Sequence, residues 1–156
     1  MRRPGGAGLT SAAPPSAVAP GPAVLVDTGV LVALFNRNDP HHAAANAWLA
    51  GCDAPLHSVE AVMTEASFFL PVRLRPALAE LSASGVIQVH APDRAGHARL
   101  ALLFQKYRDL DPDWADLCLV WLAESTGIRR IATLDVTDFS VYRIHGRKRF
   151  ELELLS

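Results

Sequence analysis

Between Ala23 and Asn36 the sequence reads AVLVDTGVLVALFN, and within this span the period of its apolar residues changes. Val24-Leu25-Val26 is a short apolar, mostly β-branched run, the pattern of a strand buried on both faces. Asp27 closes it and Thr28-Gly29 turn the chain. Val30, Leu31, Leu34 and Phe35 then fall at helical spacing. Asp27 has two readings. It can cap the helix that follows, which Asp does well. It can also be a carboxylate at the C-terminal end of a buried strand, costly to desolvate without a partner and standing where open α/β sheets bind their ligands.

The remainder of the chain repeats this alternation. Brief strands are expected at 54–57, 86–89 and 128–134, with a last one near 150–154. Between them lie helical stretches with familiar boundary signals. Asp39-Pro40 and Asp111-Pro112 each read as a cap followed by proline at the first helical position. Ser58 reads as the cap of EAVMTEASFFL, Pro71 ends that helix, and Gly85 and Gly127 close two more. His41 and His42 fall in an exposed first turn and read as surface residues. VTDFSVYRIHG, after Asp135, reads as a turn-rich connection. Strands alternating with helices predict a three-layer α/β/α sandwich around a mainly parallel, about five-stranded sheet.

Composition narrows the function classes. Half of the 156 residues are apolar, enough for one domain with a real core. The formal charge of −1 excludes a partner held by net charge, though not a local basic patch on a phosphate backbone. Cys52 and Cys118 lie in expected helices without metal-ligand spacing, as in a reduced cytoplasmic protein. No apolar run approaches membrane-spanning length. Residues 1–22, rich in Pro, Gly, Ala and Ser, hold too little apolar surface to order a chain. They are expected to be a disordered leader, or to reflect a start codon set too far upstream, with the folded domain spanning 23–156.

Four acids resist a bland account: Asp27, Glu65, Asp116 and Asp135. Two follow strands, and two sit in largely apolar helices, Glu65 near Val62, Met63, Phe68 and Phe69, and Asp116 beside Trp114, Leu117 and Val120. For Glu65 a solvated face beside Thr64 and Ser67 is the competing reading. Asp113 is explained by capping and by the helix dipole. Gathered at one sheet edge, the four would repel one another and raise their pKa values. A divalent cation resolves that conflict, and all-oxygen ligation suits Mg²⁺ or Mn²⁺ rather than zinc.

The segments VLVDTGVLVALF, VMTEAS, DWADLCLVWLAE and ATLDVTDF, in this order, resemble the PIN-domain family of metal-dependent ribonucleases and, within it, the VapC-type toxins of bacterial toxin–antitoxin pairs. The resemblance runs from residue 24 to the C-terminus. It implies a PIN-like fold and an endoribonuclease leaving 3′-hydroxyl and 5′-phosphate ends. It also implies Asp27, Glu65 and Asp116 as core metal-binding acids with Asp135 as a more variable fourth, and hydroxyls at Thr28 and Thr133 beside the site. Glu60, Asp113 and Asp138 rank behind these. The implied partners are RNA, a small antitoxin protein and a second copy in a homodimer. For the RNA backbone the sequence offers Arg143 with Arg147-Lys148-Arg149, and Arg129-Arg130; a solvated turn explains them equally.

Other classes fit less well. A haloacid-dehalogenase-like phosphatase wants a second acid two residues after the first, where this chain has Gly29. A receiver domain wants paired acids ahead of its phosphorylated Asp. A PIN-like fold without catalysis, acting as an RNA-binding or protein-interaction module, is the alternative that remains open.

Overall fold

The computed structural model describes residues 22–154, so the expected leader lies outside the described residues. Strands β1 (Val24–Val26), β2 (Leu56–Val59), β3 (Ile87–His90), β4 (Arg130–Thr133) and β7 (Glu151–Leu154) form a parallel sheet in the order β3-β2-β1-β4-β7. A two-stranded antiparallel ribbon, β5 (Arg143–Ile144) and β6 (Lys148–Arg149), precedes the last strand. The helices are α1 (Thr28–Phe35), α2 (His42–Gly51), α3 (Glu60–Phe69), α4 (Arg75–Ala83), α5 (Arg94–Lys106), α6 (Trp114–Thr126) and α7 (Val136–Val141). Crossovers between parallel strands are right-handed. The connections carrying α1 to α4 therefore cover one face, and α5 and α6, on the return from β3 to β4, cover the other. This is the three-layer sandwich read from the sequence.

β1 is central because it is the most apolar strand, and Val24, Leu25 and Val26 are essentially inaccessible to solvent. The chain first builds outward on one side of β1 and then returns to build on the other. The reversal falls between β1 and β4, and just beyond the carboxyl ends of strands at such a reversal is where this architecture opens a crevice. Asp27 and Thr133 stand there, at the ends of the two strands.

Several local expectations change. Ser58 lies inside β2, its hydroxyl donating to the Val26 carbonyl at 2.7 Å, so a short side chain supplies the bond that three-residue β1 ends too early to receive from a strand. Asp111 is left-handed, with φ 48°, and the cap of α6 is Asp113, which accepts from the Asp116 amide at 2.8 Å. Asp39 holds a turn one step before α2 by accepting from the His41 amide at 2.8 Å. His42 is half-buried rather than at the surface, with its Nδ1 2.7 Å from the Ala33 carbonyl, which ties α2 to α1. Residues 136–141, expected as turns, form α7, because Asp135 caps them through the Asp138 amide at 3.0 Å and Phe139 packs in the core.

α5 and α6 touch through a glycine. A Cβ at Gly96 would lie 2.8 Å from Trp121 Nε1 and 2.9 Å from Pro92 Cβ, so the two helices are as close as the missing side chain allows. Gly96→Ala removes a helix-weakening glycine but overpacks this contact. It is expected to destabilise the fold by about 1–3 kcal/mol in chemical denaturation. A stabilised variant would show that Trp121 moves aside freely.

Candidate metal and nuclease centre

The carboxyl ends of β1 and β4 are joined by a short relay. The Asp135 amide donates to Thr133 Oγ1 at 2.9 Å, and the Thr133 hydroxyl donates to Asp27 Oδ2 at 2.8 Å. Asp27 Oδ1 accepts from the Thr28 amide at 2.7 Å, where α1 begins. Both readings of Asp27 therefore hold together: it caps α1 and it stands buried at the strand end. Asp113 caps α6 and Asp135 caps α7, each accepting instead from the amide three residues on. Three helix N-termini thus meet at one place, and their positive ends offset part of the carboxylate charge.

All four acids singled out in the sequence border one cleft of about 710 Å³. Asp27, Glu65, Asp116 and Asp135 line it, together with Asp113. Among the described residues the tightest group of acids is Asp116, Asp135 and Asp138, which can each offer an oxygen within 4.8 Å of the others, although Asp138 does not itself line the cleft. Asp27 and Glu65 border the cleft without belonging to that trio. Asp138 is thus drawn closer in than its rank in the sequence implied, because α7 places it one turn from its cap Asp135. The signal available in the sequence was the Asp-x-x-Asp spacing after a strand, which also occurs at Asp113 and Asp116. Glu60 lies outside this cleft, in the hollow next to it.

The charges are poorly compensated. Burial pushes the Asp27 carboxyl up to about 6, although the Thr133 and Thr28 hydrogen bonds pull it back, and Asp113 and Asp135 add repulsion. Burial drives Asp116 further, to about 8, with the charge of Asp27 next and those of Asp113, Asp135 and Asp138 behind it. Glu65 is raised by burial and by Asp113, and Asp138 by burial and by Asp135. The Tyr142 hydroxyl, 3.4 Å from Asp116 Oδ2, is raised by its own burial and then by that carboxylate. Among the described residues no Lys or Arg lines the cleft. The Thr28 hydroxyl, buried in the cleft, pulls the Glu65 carboxyl part of the way back. An all-oxygen donor set short of positive charge fits a hard divalent cation.

The cations proposed for RNA divide into two sets. Arg129 pairs with Glu151 at 3.5 Å, and Arg130 pairs with Glu153, which also accepts from the Trp48 indole at 2.6 Å. Arg143 donates to the carbonyls of Ser140, Val141 and Tyr142 at 2.7–3.0 Å, closing the end of α7. These three hold the fold together. Arg147, Lys148 and Arg149 are exposed and form no ion pair among the described residues.

Among known proteins, the model of the PIN domain family matches residues 24–143. The fold is similar to the crystal structure of Mycobacterium tuberculosis VapC20, described as a Sarcin-Ricin loop cleaving toxin. The TM-score is 0.69 at 18% sequence identity, covering 77% of this chain and 96% of that one. No curated protein sequence matches the chain.

Proposed function

The chain belongs to the PIN domain family, and on that footing we propose that it is a metal-dependent endoribonuclease that hydrolyses phosphodiester bonds of RNA. The observation that carries this reading is the convergence of Asp27, Glu65, Asp116 and Asp135 on one cleft at the β1–β4 reversal, with no cationic side chain among the described residues lining it. These four, with Asp138 adjacent, would hold Mg²⁺ or Mn²⁺. Such an ion, when bound, neutralises charge on the scissile phosphate and lowers the pKa of the attacking water.

The residues of the chain prepare the site for that role. The Thr133 hydroxyl and the Thr28 amide fix both oxygens of Asp27, so this carboxylate needs no reorganisation to bind. Tyr142 backs Asp116 from the core side. Glu65 reaches the cleft from α3, the one site acid in the middle of a helix rather than at its start, and so brings a carboxylate to the site from a separate element. In-line attack then releases a 3′-hydroxyl and leaves a 5′-phosphate, whereas attack by the RNA's own 2′-hydroxyl would leave a cyclic phosphate.

We take the biological role to be that of the toxin of a toxin–antitoxin pair, a reading supported by the VapC-like fold. Its partners would then be RNA, a small antitoxin protein and a second copy of the chain, and its compartment the cytoplasm. No helix among the described residues is long and apolar enough to cross a membrane. The test is cleavage of a mixed RNA pool with Mg²⁺ or Mn²⁺ and with chelator, followed by analysis of the ends. Metal-dependent cleavage with 5′-phosphate ends is expected. Chelator-resistant cleavage or cyclic phosphate ends would overturn the mechanism, and no cleavage with either metal would favour a binding module.

A further inference from the structure

Beside the acid cleft lies a second hollow of about 790 Å³, between α3 on one side and the starts of α5 and α6 on the other. Its walls carry large aromatics that face water. Phe68 is 79% exposed, Phe69 60% and Trp114 53%. Isolated exposed aromatics need no explanation, but several around one concavity mark a binding surface.

This hollow continues the cleft, since Glu65, Phe69 and Asp113 border both. Trp114 is the first residue of α6, placed between the cap Asp113 and the site acid Asp116. Its ring stands 5.4 Å from that of Phe104, which is half-buried, and 6.3 Å from that of His97, which is exposed on the same wall. Any chain with a phosphate held at the acids therefore has its neighbouring unit within reach of this wall.

The chemistry of the hollow selects which part of that chain enters. No Lys or Arg among the described residues lines it, so it has nothing to hold a phosphate. Aromatic faces beside hydrogen-bonding side chains, here Thr64 and His97, are what single-stranded RNA uses to seat an unstacked base. We propose that this groove is a base-stacking subsite: it takes an unpaired nucleobase next to the scissile phosphate and seats it against Trp114 and the α3 phenylalanines. The inference rests on the ribonuclease reading and adds to it that cleavage requires an unpaired base beside the cut.

The experiment is a cycle between protein and substrate. An oligoribonucleotide with a mapped cleavage position is compared with versions that are abasic at each flanking nucleotide, using wild type, Trp114→Ala, Trp114→Phe and Phe68→Ala. Trp114→Ala is expected to lower kcat/KM by roughly 10-fold or more, the scale of one base–aromatic stack, and Trp114→Phe to retain most of the activity. One abasic position should cost wild type a similar factor and cost Trp114→Ala little more, because the two changes remove one contact. Costs that multiply independently, or an unaffected Trp114→Ala, would overturn the subsite while leaving the nuclease reading intact. A lighter mass by light scattering for the aromatic variants, with unchanged kinetics, would overturn it as well and make the face an interface between copies. If wild type cleaves no RNA, the nuclease reading fails. Anisotropy of labelled single-stranded RNA then decides separately: weaker binding by Trp114→Ala supports the groove, and equal binding overturns it.

Discussion

Asp116→Asn is expected to lose RNA cleavage by roughly 10³-fold, the scale of several kcal/mol of transition-state charge stabilisation, and in chelator to melt higher than wild type. The two effects share one cause. Asp116 is 5% exposed, faces four other carboxylates, and holds its proton up to about pH 8. At pH 7 the native protein must keep a proton there that the unfolded chain has released, and each unit of such a shift costs about 1.4 kcal/mol. A neutral isostere removes that cost, a gain on the order of 2–4 kcal/mol that grows from pH 5 to pH 8 and then levels off. Asp113→Ala is the contrast, since it removes the cap of α6 and should cost about 1 kcal/mol. If Asp116→Asn melts lower than wild type in chelator and still cleaves RNA, Asp116 serves the fold and the centre lies elsewhere.

Wild type in chelator should lose stability as pH rises, the reverse of the usual behaviour of acidic groups. Asp27 moves from 3.8 to about 6 and Asp116 from 3.8 to about 8. Between these limits the native state binds more protons than the unfolded state, so the stability term is fully present below pH 3.8 and is lost as pH climbs to 8. The two groups together amount to several kcal/mol. Mg²⁺ should reverse the loss, because a ligand bound only by the folded chain stabilises it by mass action. The metal competes with protons for the same oxygens, so its effect should be large at pH 8 and small at pH 5. Denaturant melts at the two pH values, with Mg²⁺ and with chelator, measure this directly. A flat profile in chelator, with no response to Mg²⁺ at pH 8, would mean that the acids do not share one charge problem.

The outline of this arrangement was legible because it rests on strong local signals. A β-branched run broken by Asp and resumed at helical spacing marks β1 and α1, and the apolar body of α6 marks a buried helix whose first-turn acid, Asp116, demands a reason. What the sequence withheld was contact at long range or choice between like residues. Asp113, Asp116, Asp135 and Asp138 carry the same side chain at the same spacing, and only the fold shows which oxygens come within reach of one another. Arg129 and Arg130 looked available because Glu151 and Glu153 become their partners only after β7 pairs with β4. Ser58 read as a cap because serine before Glu60 commonly is one, and nothing local shows that β1 ends one bond short. α7 read as turns because its residues are short and β-branched, and what stabilises it is the cap at Asp135 and the burial of Phe139.

The placing of β1 between β2 and β4 bears on how the protein is born. The Asp27–Thr133 bond spans 106 positions of sequence, so a nascent chain carries Asp27 long before the strand that completes its surroundings has left the ribosome. Until β4 arrives, β1 has one bare edge, and its three valine and leucine side chains invite pairing with any other unpaired strand. Closing so long a loop is slow. The acids therefore become a centre in one late step, and a chain cut short before Arg130 would be inert toward RNA and prone to aggregate.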